Sequence, residues 1–260
     1  MAVKIIIRID DIGDKYDFYE LRDWFISNYP KIPVAFYVVY SHYKYRWGID
    51  VWKSIKDTLI TYKWEIGGHS RNHHHLPSLS NEKLKVEIGK NLEDLENELS
   101  FVGLDYKITS FAYPYGEFDE RVKDILDKNR IIHGLTYISG NNYESQINFP
   151  KNNLYEIGIS CNATANGDDW NRRFKNVYQN GDVYILCLHT SHWTKAQNRN
   201  NLKRIFKSKS KKELYFSLKR FKKYLFKKSL KQMWSMLAQH IEYIMKFSDV
   251  EFITFKDLIE

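Results

Sequence analysis

The stretch Val3-Lys-Ile-Ile-Ile-Arg-Ile-Asp-Asp11 is an apolar run that stops on two adjacent carboxylates. Short, nearly continuous apolar character predicts a strand covered on both faces, as in a parallel sheet flanked by helices. Two like charges at its end repel, and burying them is costly without a cation or hydrogen bonds. Neighbouring side chains on a strand point in different directions, so one aspartate can ligate a metal while the other accepts a proton. The same pair also reads as an ordinary turn capped by Asp.

Working outward, strand-like runs recur at Val34–Val39, Trp64–Gly67, Ile108–Tyr113, Ile131–Ile138, Leu154–Ile159, Val183–Leu188 and Val250–Phe255. Helical periodicity separates many of them. Ser80–Leu99 is the clearest case, with Ser80 as cap and Leu84, Ile88, Leu92, Leu95 and Leu99 at helical spacing. Val51–Tyr62 and Glu117–Asn129 are shorter versions. Strand–helix alternation predicts a parallel sheet with covering helices, and about eight such units favour a (β/α) barrel over an open sheet. Residues 195–248 hold no strand pattern and are predicted to be a helical, basic insertion before the last strand, inside a single domain spanning 1–260.

A chain of 260 residues with 43% apolar composition can bury one large core. Aromatics reach 16%; such rings fill cores and also line sugar sites, where a flat face meets C–H surface. The two cysteines, Cys161 and Cys187, offer no CxxC spacing, which excludes a zinc ribbon or a dithiol redox site and predicts buried free thiols. The first apolar run is too short for a secretory leader, and no segment approaches the roughly 18 uninterrupted apolar residues of a membrane span, so a cytoplasmic protein is expected. The net charge of +8 is uneven: residues 203–231 carry 13 Lys or Arg against Glu213 alone, leaving the remainder near −4. Within that segment Leu214, Leu218, Phe221 and Leu225 form a helical stripe among lysines. A basic amphipathic helix can lie on an anionic membrane, bind nucleic acid or an anionic glycan, or simply pack its stripe on the barrel.

In a barrel of this type chemistry sits where strands end. Past the third strand, His69-Ser-Arg-Asn-His73 sets two imidazoles four positions apart, a spacing that lets two nitrogens meet one ion. His74 and His75 follow directly, so spacing alone leaves the ligand choice open. Two histidines and a carboxylate leave coordination positions free, as catalytic zinc sites require. Past the fourth strand, Tyr113-Pro-Tyr-Gly116 is a tight turn able to aim a backbone N–H outwards, as an oxyanion hole needs. His189 ends the run Val183–Leu188; a side chain titrating near neutrality suits general acid work there, although a structural histidine is the simpler reading.

Taken together these residues resemble the polysaccharide deacetylase family, the NodB-homology domain of carbohydrate esterase family 4. Asp10-Asp11 matches its paired aspartates, Glu65-Ile-Gly-Gly-His-Ser-Arg-Asn-His73 its H-S-x-x-H motif, Phe111-Ala-Tyr-Pro-Tyr-Gly116 its third motif and Cys187-Leu-His189 its L-x-H motif. The resemblance covers residues 3 to about 193 and resumes at Val250–Phe255. It implies a distorted (β/α) barrel that removes an N-acyl, typically N-acetyl, group from a sugar. Asp11, His69 and His73 would hold a divalent metal, usually Zn2+, with Co2+, Ni2+ or Fe2+ also suited to these donors. Asp10 would be the base toward a metal-activated water, the Tyr115 N–H would face the oxyanion, and His189 would be the acid. Ala112 stands where many members carry an Arg that orients the catalytic aspartate, so the tuning of Asp10 must come from elsewhere. Asp169-Trp170 is a weak match to a pocket-shaping fourth motif, and Thr190-Ser-His-Trp193 a candidate for further lining. The expected partner is an N-acylated sugar, lipid-linked or an anionic glycan, reached by peripheral contact of 203–231 with the inner face of the membrane. Two competing functions are a non-catalytic glycan- or nucleic-acid-binding protein on the same scaffold and an amidohydrolase of a small non-sugar amide.

Overall fold

The structure is a computed structural model that describes residues 2–40, 47–136, 153–162, 167–189 and 230–258. Among them the backbone order is β1 (Val3–Ile12), α1 (Lys15–Asn28), β2 (Ala35–Val38), α2 (Ile49–Thr61), β3 (Glu65–Gly68), α3 (Asn81–Phe101), β4 (Ser110–Ala112), α4 (Glu120–Lys128), β5 (His133–Leu135), β6 (Cys161–Asn162), α5 (Gly167–Asn180), β7 (Val183–His189), α6 (Leu230–Ile244) and β8 (Val250–Phe252). The strands form one parallel sheet in the order β5-β4-β3-β2-β1-β7-β6, with β8 added on β1. This curled parallel sheet is the distorted (β/α) barrel that the family resemblance implies, with the parallel strands that the strand–helix alternation predicts.

β1 lies inside the sheet and is covered on both faces. Ile5, Ile7 and Ile9 join the outer core under the helices, whereas Ile6 joins an inner core with Ala35, Tyr37, Ala112, Leu135 and Ile185. β7 pairs β1 from Lys4 to Asp10, β8 takes Val3 to Ile5, and β2 takes Arg8 to Ile12. The β1–β2 register shifts between Ile9 and Ile12, and Asp11 there has φ 64°. An irregularity of this kind re-aims one side chain at a strand end.

α3 follows its predicted pattern. The Ser80 hydroxyl accepts the N–H of Lys83 at 3.4 Å, and Leu84, Ile88, Leu92, Leu95 and Leu99 are buried along one face. Burial of each such side chain is worth about 1.5–3 kcal/mol. The Gly67-Gly68 pair lets β3 approach both layers: a Cβ on Gly67 would lie 2.2 Å from the Tyr37 ring, and one on Gly68 would lie 2.8 Å from Asn91 and Leu92 of α3.

The sixth strand departs from expectation. Leu154–Ile159 is apolar enough to read as a strand, but its hydrogen bonds are divided. Ile157 exchanges bonds with Gly134 and Thr136 beside β5, and Ser160 then bonds Ile185 of β7 before the short β6 begins. The segment therefore spans the seam between the two edges of the curled sheet.

Of the predicted insertion 195–248, the described part shows α6 packed on the barrel: Trp234 stacks on Trp24 of α1 at 4.5 Å, and His240 bonds Tyr184 of β7 at 2.9 Å. The basic segment 203–231 and Thr190–Trp193 fall almost wholly outside the described residues. No helix among the described residues is long and apolar enough to cross a membrane. Cys161 and Cys187 are free and buried.

Candidate active site

The C-terminal ends of β1, β3, β4 and β7 meet around a cavity of about 410 Å³ whose lining includes Asp10, Asp11, His69, His73, Tyr115 and His189. All six residues assigned roles from the sequence are thus brought to one place.

At its floor, Asp11 Oδ1 lies 3.0 Å from Nε2 of His69 and 3.0 Å from Nε2 of His73. Three ligand atoms on one centre result from three local backbone devices. Asp11 is turned by its positive φ, and Ser70 and His73 also take positive φ, of 60° and 56°, which folds the loop after β3 back on itself. The Ser70 hydroxyl accepts the His73 N–H at 2.9 Å. His69 Nδ1 lies 2.7 Å from the carbonyl of Ala112, the bond that fixes the tautomer and leaves Nε2 for an ion. Two imidazole nitrogens and a carboxylate oxygen, one ring already oriented from behind, fit a divalent metal by donor chemistry and by outer support. His74 and His75 lie outside this converging group: His74 lies 3.8 Å from Glu87, and His75 pairs Glu117 at 2.8 Å.

Asp10 is handled differently. It is buried, and both its oxygens are taken by the buried Arg8: Nε donates to Oδ1 at 2.8 Å and Nη2 to Oδ2 at 2.6 Å. Burial pushes this carboxyl up, but attraction to Arg8, then His69, outweighs it, and the net position is below the ordinary carboxylate value. Asp11 is also pushed up by burial and held well below the ordinary value by hydrogen bonds from His69 and His73. His69 is pushed down by burial and raised overall by Asp11 and Asp10. Asp10, Cys187 and His189 form a second group of converging donor atoms, with Cys187 Sγ 3.6 Å and His189 Nε2 4.0 Å from Asp10 Oδ2. Arg8 beside them opposes a cation at that point, and burial pushes the Cys187 thiol well up.

The opposite wall is Pro114-Tyr115-Gly116, a single tight turn in which Tyr115 has φ 60°. Its ring, half exposed, stacks on His75 at 3.8 Å with 4° between planes and meets His73 edge-on at 4.7 Å. Asp169 and Trp170 are not in this wall: Asp169 pairs Arg172 and Arg173 along α5, and Trp170 is core against His240.

Sequence reasoning missed the supports. Arg8 is the source of the tuning that Ala112 cannot supply, and its signal was a lone arginine two places before Asp10, hence on the same strand face. On α3, Asn91 accepts the His69 N–H at 3.1 Å, Glu87 binds Asn72, and Asp94 pairs Arg71 at 3.0 Å. These three acidic or amide residues at spacings of four and three were concealed beside the leucine stripe.

The family model for polysaccharide deacetylase matches residues 26–138. Among solved structures, the Xyl-CE4 domain of a multidomain xylanase from the hindgut metagenome of Trinervitermes trinervoides is 16% identical with a TM-score of 0.56, over 100% of this chain and 90% of that one. A family 4 carbohydrate esterase from Bacillus anthracis is 17% identical with a TM-score of 0.55, over 99% and 83%. A CE4 family pseudoenzyme from Bacillus anthracis is 13% identical with a TM-score of 0.48, over 76% of this chain and 57% of that one, so the chain spans little more than half of that protein. No curated protein matches. At these identities the structural likeness establishes the fold. Residues 26–138 are thus similar to the polysaccharide deacetylase family, and the barrel shares its fold with the family 4 carbohydrate esterase structures.

Proposed function

We propose that the protein is a metal-dependent amidohydrolase that removes an N-acyl group, in the simplest case acetyl, from a sugar or glycan intermediate. The observation that carries this reading is the convergence of Asp11, His69 and His73 on one point, beside a second carboxylate, Asp10, that is buried and kept apart from them.

Asp11, His69 and His73 would hold the ion, with zinc the first choice and cobalt, nickel or iron compatible. A divalent ion bound there supplies Lewis acidity, which lowers the pKa of water and polarises a carbonyl oxygen. Asp10, ionised through its Arg8 partner, accepts the proton as water oxygen adds to the carbonyl carbon. The Tyr115 N–H, carried on a rigid turn, faces the developing oxyanion. His189 donates a proton to nitrogen as the C–N bond breaks, releasing amine and carboxylic acid. The stacked Tyr115 and His75 rings give an apolar face suited to sugar C–H surface, and the cavity volume suits a sugar unit.

The test is elemental analysis of the wild type and of a His69→Ala, His73→Ala variant, with acetate release assayed from N-acetylated and O-acetylated sugars and from simple amides. Near-stoichiometric metal that disappears in the variant, together with acetate from the N-acetylated sugar, supports the reading. Release from only the ester or the simple amide would reassign the substrate class. Asp10→Asn with function intact would favour a binding protein. The lipid-linked or anionic substrate, and a place at the cytoplasmic face, belong to the same proposal and rest on the charge of residues 203–231; flotation with anionic and neutral vesicles tests them, and no preference for anionic lipid would overturn them.

A further inference from the structure

We infer that Arg8 is a positioning residue that keeps Asp10 out of the metal's ligand set and ties it, through Thr136, to the Tyr115–Gly116 turn on the far side of the pocket. This rests on the reading of Asp10 as base and of Asp11, His69 and His73 as ligands.

The geometry is a continuous chain of bonds. Arg8 grips both Asp10 oxygens with two parallel donors, and its remaining nitrogen Nη1 donates to the Thr136 carbonyl at 3.0 Å. The Thr136 hydroxyl in turn donates to the Gly116 carbonyl at 2.7 Å. The guanidinium also sits 5.6 Å from the centre of the Tyr37 ring. One end of the chain is the proposed base and the other is the turn whose N–H faces the oxyanion, so their separation is set by rigid, buried groups. A fork-to-carboxylate pair fixes orientation as well as charge, which a point charge does not.

Stability alone gives no reason for this arginine. It is fully buried beside the apolar inner core, opposite Ala35 in register. A buried ion pair is often no better than well-packed apolar residues of the same volume. What Arg8 adds is a distinction between two adjacent carboxylates. Asp11 offers one oxygen to both imidazoles, whereas Asp10 is already satisfied by a cation of its own. With Arg8 gone, Asp10 would be an unsatisfied carboxylate beside a divalent ion and would turn toward it.

The experiment loads the metal-free chain with Co2+ and records the visible d–d bands and the uptake. In Arg8→Met the bands are expected to move and strengthen or weaken as Asp10 joins the cobalt. In the double variant Arg8→Met, Asp10→Asn, which leaves no carboxylate to move, the wild-type bands should return. Where acetate release is measurable, Arg8→Met should lose about tenfold or more in kcat with KM nearly unchanged, as for a misplaced reacting group. Thr136→Val should keep the wild-type bands and lose several-fold in kcat; full kcat in it would remove the tie to the turn. Should Arg8→Met not fold by circular dichroism, Arg8→Lys replaces it, with a smaller band shift expected because charge is kept and the fork is lost. Unchanged bands in the Arg8 variant, or bands equally altered in the double variant, overturn the role of Arg8. A wild type that takes up no cobalt overturns the metal reading itself.

Discussion

Glu87, one turn before Asn91 on α3, holds Asn72 at two points: Oε2 accepts its backbone N–H at 2.8 Å and Oε1 accepts its side-chain amide at 2.7 Å. Asn72 precedes His73, so a helix on the outside of the barrel sets where one candidate ligand sits. Glu87→Ala is expected to weaken metal uptake about 10–100-fold, the usual cost of losing an outer-shell partner. Glu87→Gln, which keeps one acceptor, should fall between. Titration with Zn2+ by calorimetry reads both, and equal affinity in all three chains would remove this role for α3.

Metal removal should be visible in stability. A ligand that binds only the folded state adds about 2.7 kcal/mol at a hundredfold excess over Kd, which for a domain of this size is about 5–10 °C in Tm. Chelated protein is expected to melt lower by that order and to recover with Zn2+. The His69→Ala, His73→Ala variant should show no recovery. A wild type whose melting ignores both chelator and zinc would argue against a bound ion.

Gly67→Ala should destabilise the barrel without touching the pocket directly. The new Cβ would meet the Tyr37 ring at 2.2 Å and the Ser110 carbonyl at 2.8 Å. The ring can shift only by disturbing its hydrogen bond to Ser110, and the carbonyl belongs to β4. Overpacking of this kind costs about 1–3 kcal/mol, occasionally more. Denaturant unfolding gives the value, and wild-type stability would mean that β3 has room the structure does not show.

Acid should weaken the fold through two buried histidines. Burial lowers His133 to about 4 and His240 to about 3, against an ordinary 6.5. Between those values the unfolded chain binds more protons, so their contribution is complete above about pH 6.5 and is lost as pH falls toward the folded values. Melting of the chelated protein should therefore drop from pH 7 to pH 4, and His240→Gln should flatten the slope. Parallel slopes in the two chains would show that His240 is not the cause.

Much of this was readable from residue order because it depends on local patterning. The apolar runs at Val3–Ile9 and Val183–Leu188 are strands because both faces are covered, and the leucine spacing of α3 admits only one buried face. Asp11, His69 and His73 stood out as candidates because they follow strand ends, where this fold carries chemistry, and the family resemblance favoured His73 over His74 and His75. Arg8 escaped because a strand is recognised by what its neighbours have in common, and a lone charge inside it is averaged away. Leu154–Ile159 misled for the reverse reason: it has a strand's composition, but its partners lie on two different edges, a fact no local pattern carries. Glu87, Asn91 and Asp94 look like ordinary helix polar positions until the loop they hold is folded against them.

The partners of β1 set the timetable on which the pocket is born. Asp10 and Asp11 are made well before their partners: β7, which pairs Asp10 with His189, and β8, which pairs Val3 with Val250, follow far later in the sequence. Contacts so distant in sequence must wait for long loops to close, and such topologies fold slowly. During synthesis an Ile-rich strand would wait with one edge unpaired, a surface prone to sticking to other chains. Expression at lower temperature or with chaperones should therefore raise the soluble yield more than any change near the pocket.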